Sequence, residues 1–117
     1  MNLATGLIDR DPTPLGELTL ERVETPAGEI GYQISIDRRY LMGSHGCHSE
    51  RGMAPMAHER LRREARDLHV LVGGLGAGHT LRAALDLPGV TRVVVAEIGV
   101  KVAEWNRRYF ASFNGNA

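Results

Sequence analysis

The sequence predicts an α/β protein in two parts: a small antiparallel β meander, then a βαβα unit. Three observations carry this. Ile30, Tyr32, Ile34 and Ile36 recur at every second position, the period of a half-buried strand. Two continuous apolar runs, "LHVLVGG" and "TRVVVAEI", are each followed by a helix-like pattern. Glycines crowd the first of those strand-to-helix junctions.

The elements follow in order. Residues 1–17 hold Pro12, Pro14 and Gly16 and predict a flexible arm. Leu18, Leu20 and Val23 mark the first strand, and Pro26, Ala27 and Gly28 its turn. The Ile30–Ile36 stretch is the second strand, and "RRYLMGS" predicts a short third one. Residues 18–54 thus form an antiparallel β-domain and a Gly- and His-rich loop. Residues 55–117 form a helix and the βαβα unit. Pro55 suits the first turn of a helix that runs to about Asp67. On it Arg60, Arg62, Arg63 and Arg66 interleave with Glu59, Glu64 and Asp67, a solvated face. "LHVLVGG" is then a strand and "HTLRAALDL" a helix, ended by Pro88 and Gly89. "TRVVVAEI" is a parallel strand, too continuously apolar for a one-sided sheet. "VKVAEWNRRYFASF" is a helix with Val102, Trp105, Tyr109 and Phe113 on its core face, stopped by Asn114, Gly115 and Asn116.

Formal net charge is zero over 117 residues, so no general pull toward nucleic acid or an anionic membrane is expected. Cys47 is the single cysteine, which rules out an intrachain disulfide and fits a reducing, cytoplasmic setting. No apolar run is long enough for a membrane helix.

Gly74, Gly76 and Gly78 write G-x-G-x-G between strand and helix. Such a turn lets a ligand approach the backbone near a helix N-terminus. Glu97 ends the next strand 19 residues after Gly78, where an acid holds ribose hydroxyls. Positions 79 and 81 are His and Leu, so the dinucleotide spacing is not met. The pattern suits S-adenosylmethionine or a related nucleoside in the first half of a doubly wound domain, a half Rossmann-like βαβα unit.

The loop "GSHGCHSERGMAPMAH" gathers His45, Cys47, His48, Met53, Met56 and His58. His58 is a candidate general base, Glu59 its orienting acid, and Cys47 a candidate nucleophile beside His45, His48 or His58. A metal- or haem-binding protein using this loop is one alternative. H-G-C-H is no standard zinc pattern, however, so no metal ligand set is assigned. His69 reads as structural, and His79 as an exposed helix-start residue or one touching a ligand's carboxylate.

Three stretches together resemble the spermidine synthase family of S-adenosylmethionine-dependent transferases. "VLVGGLGAGHTLRAAL" is similar to its glycine loop, GGGDGGTLRE. "VTRVVVAEIGVKVAEWNRRYF" is similar to its second strand and helix, with VEID and R-x-YF. "SERGMAPMAHERL" resembles, more loosely, TERDEFIYHEML. The resemblance runs from about residue 18 and implies a β-domain followed by a transferase domain. It puts Gly74, Gly76 and Gly78 on the cofactor loop, Glu97 on the ribose acid, and His58 and Glu59 on the H-E of YHE. Where the family carries acids and a tyrosine for amine groups, this chain has Ala77, Ala57, Gly52, Met53 and Gly99. The family's catalytic Asp lies on a fourth strand, beyond the stretches matched. The expectation is therefore a truncated relative, a small biosynthetic enzyme that binds an S-adenosylmethionine-like or other small molecule without ordinary aminopropyl transfer. A non-catalytic nucleoside-binding or regulatory module is the alternative. Two parallel strands with bare edges further imply a homo-oligomer.

Overall fold

A computed structural model describes residues 6–61, 64 and 66–117. Four strands form an antiparallel sheet in chain order: β1 (Gly6–Thr13), β2 (Gly16–Glu24), β3 (Ile30–Ile36) and β4 (Arg39–Gly43). Helix α1 (His48–His58) leads to a parallel pair, β5 (Leu68–Gly73) and β6 (Val90–Ala96), joined through α2 (His79–Leu85). The chain ends in α3 (Val102–Trp105), a π turn (Asn106–Phe110) and α4 (Ala111–Asn114). The expected α/β order of meander and βαβα unit is present.

The arm expected over residues 1–17 is corrected: from Gly6 it is a strand paired along β2. Pro12 and Pro14 disguised it. Pro12 sits on the outermost strand, where a missing N–H costs no ladder bond. Two aspartates fasten β1 to the far end of the chain. Asp9 accepts from the Trp105 indole Nε1 and from Lys101 Nζ, each at 2.9 Å. Asp11 accepts from the Lys101 backbone N at 3.0 Å. The Trp105 hydrogen bond, with Lys101 second, holds the Asp9 carboxyl at about 2, below its ordinary 3.8. Ionised Asp9 therefore stabilises the fold fully above about pH 4, and that contribution is lost as pH falls toward 2. Its side chain is 35% exposed, so solvent screening leaves about 1 kcal/mol of it. Asp9→Asn should lose that amount at pH 7 in urea unfolding, and the gap to the parent should close between pH 4 and pH 2. A gap unchanged at pH 2 would mean that the aspartate charge contributes nothing.

The helix expected from Pro55 to about Asp67 is also corrected. It starts at His48 and ends at His58, with Pro55 inside. Pro55 leaves the Arg51 carbonyl without its helical donor. The Pro55 carbonyl still accepts from Glu59 N at 3.0 Å. Asp67 is not helical and takes a positive φ of 51° before β5. Arg62 and Arg63 of the charge run lie outside the described residues.

The core lies between the meander and the last helical run. Leu20, Ile34, Val102, Trp105 and Phe110 are at most 2% exposed. The stripe expected from Val102 to Phe113 holds for its first two members only. The π turn rotates Phe110 inward and leaves Tyr109 and Phe113 half-buried against Tyr32, ring centroids at 5.2 and 6.3 Å. The β5–β6 pair is covered by α2 on one face. On the other face Leu71 and Val94, neighbours in the ladder, stand 72% and 44% exposed. The sheet of the chain as described is thus one-sided, not covered on both faces as its apolar runs suggested. No helix is long and apolar enough to cross a membrane among the described residues.

Candidate functional site

The glycine turn grows directly out of the parallel ladder. Gly74 N donates to Ala96 O at 2.7 Å, one step beyond β5. Gly74, Gly76 and Gly78 then take φ of 92°, 53° and 84°, the left-handed values a glycine adopts without penalty. Close packing demands two of them as well. A Cβ on Gly76 would fall on Met42 Sδ of the meander. A Cβ on Gly78 would lie 2.6 Å from Asn106 Oδ1 and closer still to Asn114 Nδ2. Around Gly74 there is open space.

Side chains from two other elements hold the turn. Glu97 Oε1 accepts from Leu75 N at 2.9 Å and Gly76 N at 3.4 Å, and its Oε2 accepts from Gly99 N at 2.7 Å. From the last helical run, Asn106 Nδ2 donates to Gly76 O at 2.6 Å, and Asn114 Nδ2 to Ala77 O at 3.0 Å. Asn114 Nδ2 also lies 3.1 Å from Asn106 Oδ1, closing the pair. Both asparagines are buried, and both are satisfied. In the sequence Asn114 marks only a helix stop, and Asn106 carries no motif. Two asparagines eight residues apart, on a helix that also carries the core, were the available signal.

A cavity of about 330 Å³ opens between the meander and the turn. Leu18, Ile34 and Met42 wall it from the sheet, and Gly74, Leu75 and Glu97 from the turn. That volume is at the small end of ligand pockets. Glu50, at the first turn of α1, lines it too, with His79 and Thr80 at the start of α2. His79 is 4% exposed, so of its two expected readings the exposed helix-start residue is corrected. Its Nε2 meets the Gly43 carbonyl at 3.2 Å, which makes that nitrogen the donor. Nδ1 is then a lone-pair acceptor, buried without a partner. Burial lowers the His79 pKa below its ordinary value, so the ring is neutral at pH 7. A neutral acceptor does not receive a carboxylate, so the expected contact with a ligand's carboxylate is not supported at Nδ1.

The expected catalytic trio is spread out. Cys47 is buried just before α1, and His58 closes that helix. Eleven residues of helix separate them by roughly 16 Å. His58 Nε2 is 3.0 Å from Pro88 O, and Glu59 stands exposed beyond it. None of the three lines the cavity. His45 packs edge-on against Phe113, ring centroids at 5.5 Å. Among the described residues, no three His, Cys, Asp or Glu side chains converge as metal ligands.

No family model and no curated protein matches the chain.

Proposed function

We propose that the chain binds S-adenosylmethionine or a related nucleoside in the cavity between the β meander and the glycine turn. One observation carries this reading: Gly74 and Gly76 of the G-x-G-x-G turn line the same cavity as Glu97, while Gly78 packs away from it against Asn106 and Asn114. Glu97 spends lone pairs on three backbone N–H groups and keeps acceptor capacity for a ribose hydroxyl. The open space around Gly74 suits a ligand's close approach. The reading is of binding on a transferase-derived scaffold rather than of a named reaction, because His58, Glu59 and Cys47 lie apart from the cavity. The free Cys47 fits a cytoplasmic setting.

Isothermal calorimetry with S-adenosylmethionine, its decarboxylated form and methylthioadenosine tests the proposal. Saturable heat with at least one is expected, and Gly74→Val should abolish it. No heat with any of the three overturns the reading. The exposed Leu71–Val94 face supports a homo-oligomer, and sedimentation velocity on the same sample would show a monomer if that is wrong.

A further inference from the structure

The two sheets treat their open edges differently. An unpaired strand edge offers N–H and C=O groups to any other strand, and chains blunt such edges with charge, proline or a bulge. β1, the outer strand of the meander, has all of these: Asp9 and Asp11, Pro12, and a register shift between Leu7 and Asp9. β4 and β6 carry Arg39 and Arg92. β5 has no charged residue and no proline along Leu68–Gly73, and its register shifts only at its start, between Leu68 and His69. Its second edge has no strand beside it among the described residues.

That edge can bond. Leu68 N donates to Gly89 O and Gly74 N to Ala96 O, toward β6. Backbone groups alternate from edge to edge along a strand, so Val70 and Val72 also face β6. His69, Leu71 and Gly73 turn their N–H and C=O the other way, and among the described residues no loop or turn backbone bonds to them. An apolar groove of about 310 Å³ runs along residues 70–74, with Met53, Ala54 and Ala57 of α1 as its other wall. α1 has no buried residue, and Met53 is 57% exposed. Open backbone beside an apolar wall takes an extended apolar chain.

β5 is itself such a chain. Laid antiparallel about a two-fold axis at Leu71, the outward residues of one copy meet those of the other: Leu71 meets Leu71, and His69 meets Gly73. These pairs exchange about six backbone hydrogen bonds. The side chains fit as well. A Cβ on Gly73 would meet nothing within 4 Å, so there is room opposite the His69 ring. Charge chooses the direction. Asp67, which pairs with His69 at 3.5 Å, falls opposite the uncharged Leu75 in the antiparallel arrangement. In a parallel one it would face the other Asp67.

We propose that two copies of this chain pair antiparallel through β5, on a two-fold axis at Leu71, with α1 of each copy flanking the join. This rests on the homo-oligomer read above from the Leu71–Val94 face and names the edge through which it forms. Gly73 also lines the ligand cavity, so the partner's His69 stands at that cavity's rim.

Amide hydrogen exchange on the full chain tests the pairing, followed in ¹H–¹⁵N spectra over a range of protein concentrations. Val70 and Val72 should be protected throughout. His69, Leu71 and Gly73 should exchange freely in dilute solution and slow as sedimentation velocity shows the dimer forming. Leu71→Lys sets like charges side by side on the axis and should weaken self-association about a hundredfold. Leu71 is 72% exposed in the single chain, so the circular dichroism of that variant should match the parent's. Should the variant not fold, the parent's exchange pattern decides alone. Val94→Lys, on the same face but one strand in from the edge, should leave the dimer intact. A dimer in which His69, Leu71 and Gly73 exchange freely, one that survives Leu71→Lys, or one lost only with Val94→Lys overturns the pairing and leaves the homo-oligomer standing. A monomer at every concentration overturns both. Nucleoside binding is decided separately, by calorimetry.

Discussion

Glu97→Ala is expected to lower stability by about 2–4 kcal/mol and, under the function proposed, to remove nucleoside binding. The carboxylate receives three backbone N–H groups from two separate turns, at 2.9, 3.4 and 2.7 Å. Bonds to an ionised acceptor are worth about 1.5–3 kcal/mol each, and they do not add when one group makes them all. Alanine leaves the amides of Leu75, Gly76 and Gly99 without that acceptor. Water relieves part of the loss, because the site borders an open cavity. Glu97→Gln keeps one acceptor oxygen and turns an NH₂ toward the remaining donors, so it should cost roughly half as much. Chemical denaturation reads the totals. Hydrogen exchange at the three amides locates them: exchange should quicken there and not in β2 or β3. A loss of stability with those amides still protected would show that Glu97 acts elsewhere.

Much of this site was legible because glycine and period-2 alternation are local signals. The β3 alternation and the apolar runs of β5 and β6 needed only neighbouring residues to be read. The glycine turn was placed at its junction for the same reason. What escaped reading depended on distant partners. Asp9 and Asp11 share a face of β1, yet their partners Lys101 and Trp105 lie 90 to 96 residues away. Nothing near Pro12 announces that a strand there is fastened from outside. Glu97 was placed correctly at the end of β6, but its use was read for a ribose alone. The structure shows it holding the turn, with three backbone amides at 2.7 to 3.4 Å. Cys47 and His58 part for a geometric reason. The two are close in sequence, but α1 draws them apart. Glu50 and His79 meet in the cavity only because α1 and α2 pack together, a fact of tertiary structure.

Gly78→Ala should destabilise the chain by about 2–4 kcal/mol, and about half of that cost should vanish in a chain that already carries Asn114→Ala. Two effects combine in the single change. An alanine at φ 84° sits in the left-handed region, at about 1–2 kcal/mol. Its Cβ also enters the space of the Asn106 and Asn114 amides. To make room, Asn114 must give up its bonds to Ala77 O and Asn106 Oδ1, at 3.0 and 3.1 Å. Each such bond is worth about 1 kcal/mol, and a buried carbonyl left bare costs more. Asn114→Ala alone removes those bonds and should itself cost about 2 kcal/mol. With the asparagine gone, the added methyl meets less, and what remains is the backbone term and the contact with Asn106 Oδ1. The double-mutant cycle should therefore return a coupling of about 1–2 kcal/mol, the pair costing less than its parts. Strict additivity would mean that the glycine is required for its φ alone. The coupling would instead identify Gly78 as the place where the last helix grips the turn. In that case the conformation of the turn depends on a helix that begins 24 residues after Gly78, at Val102. The asparagine pair then belongs to the site as much as the glycines do.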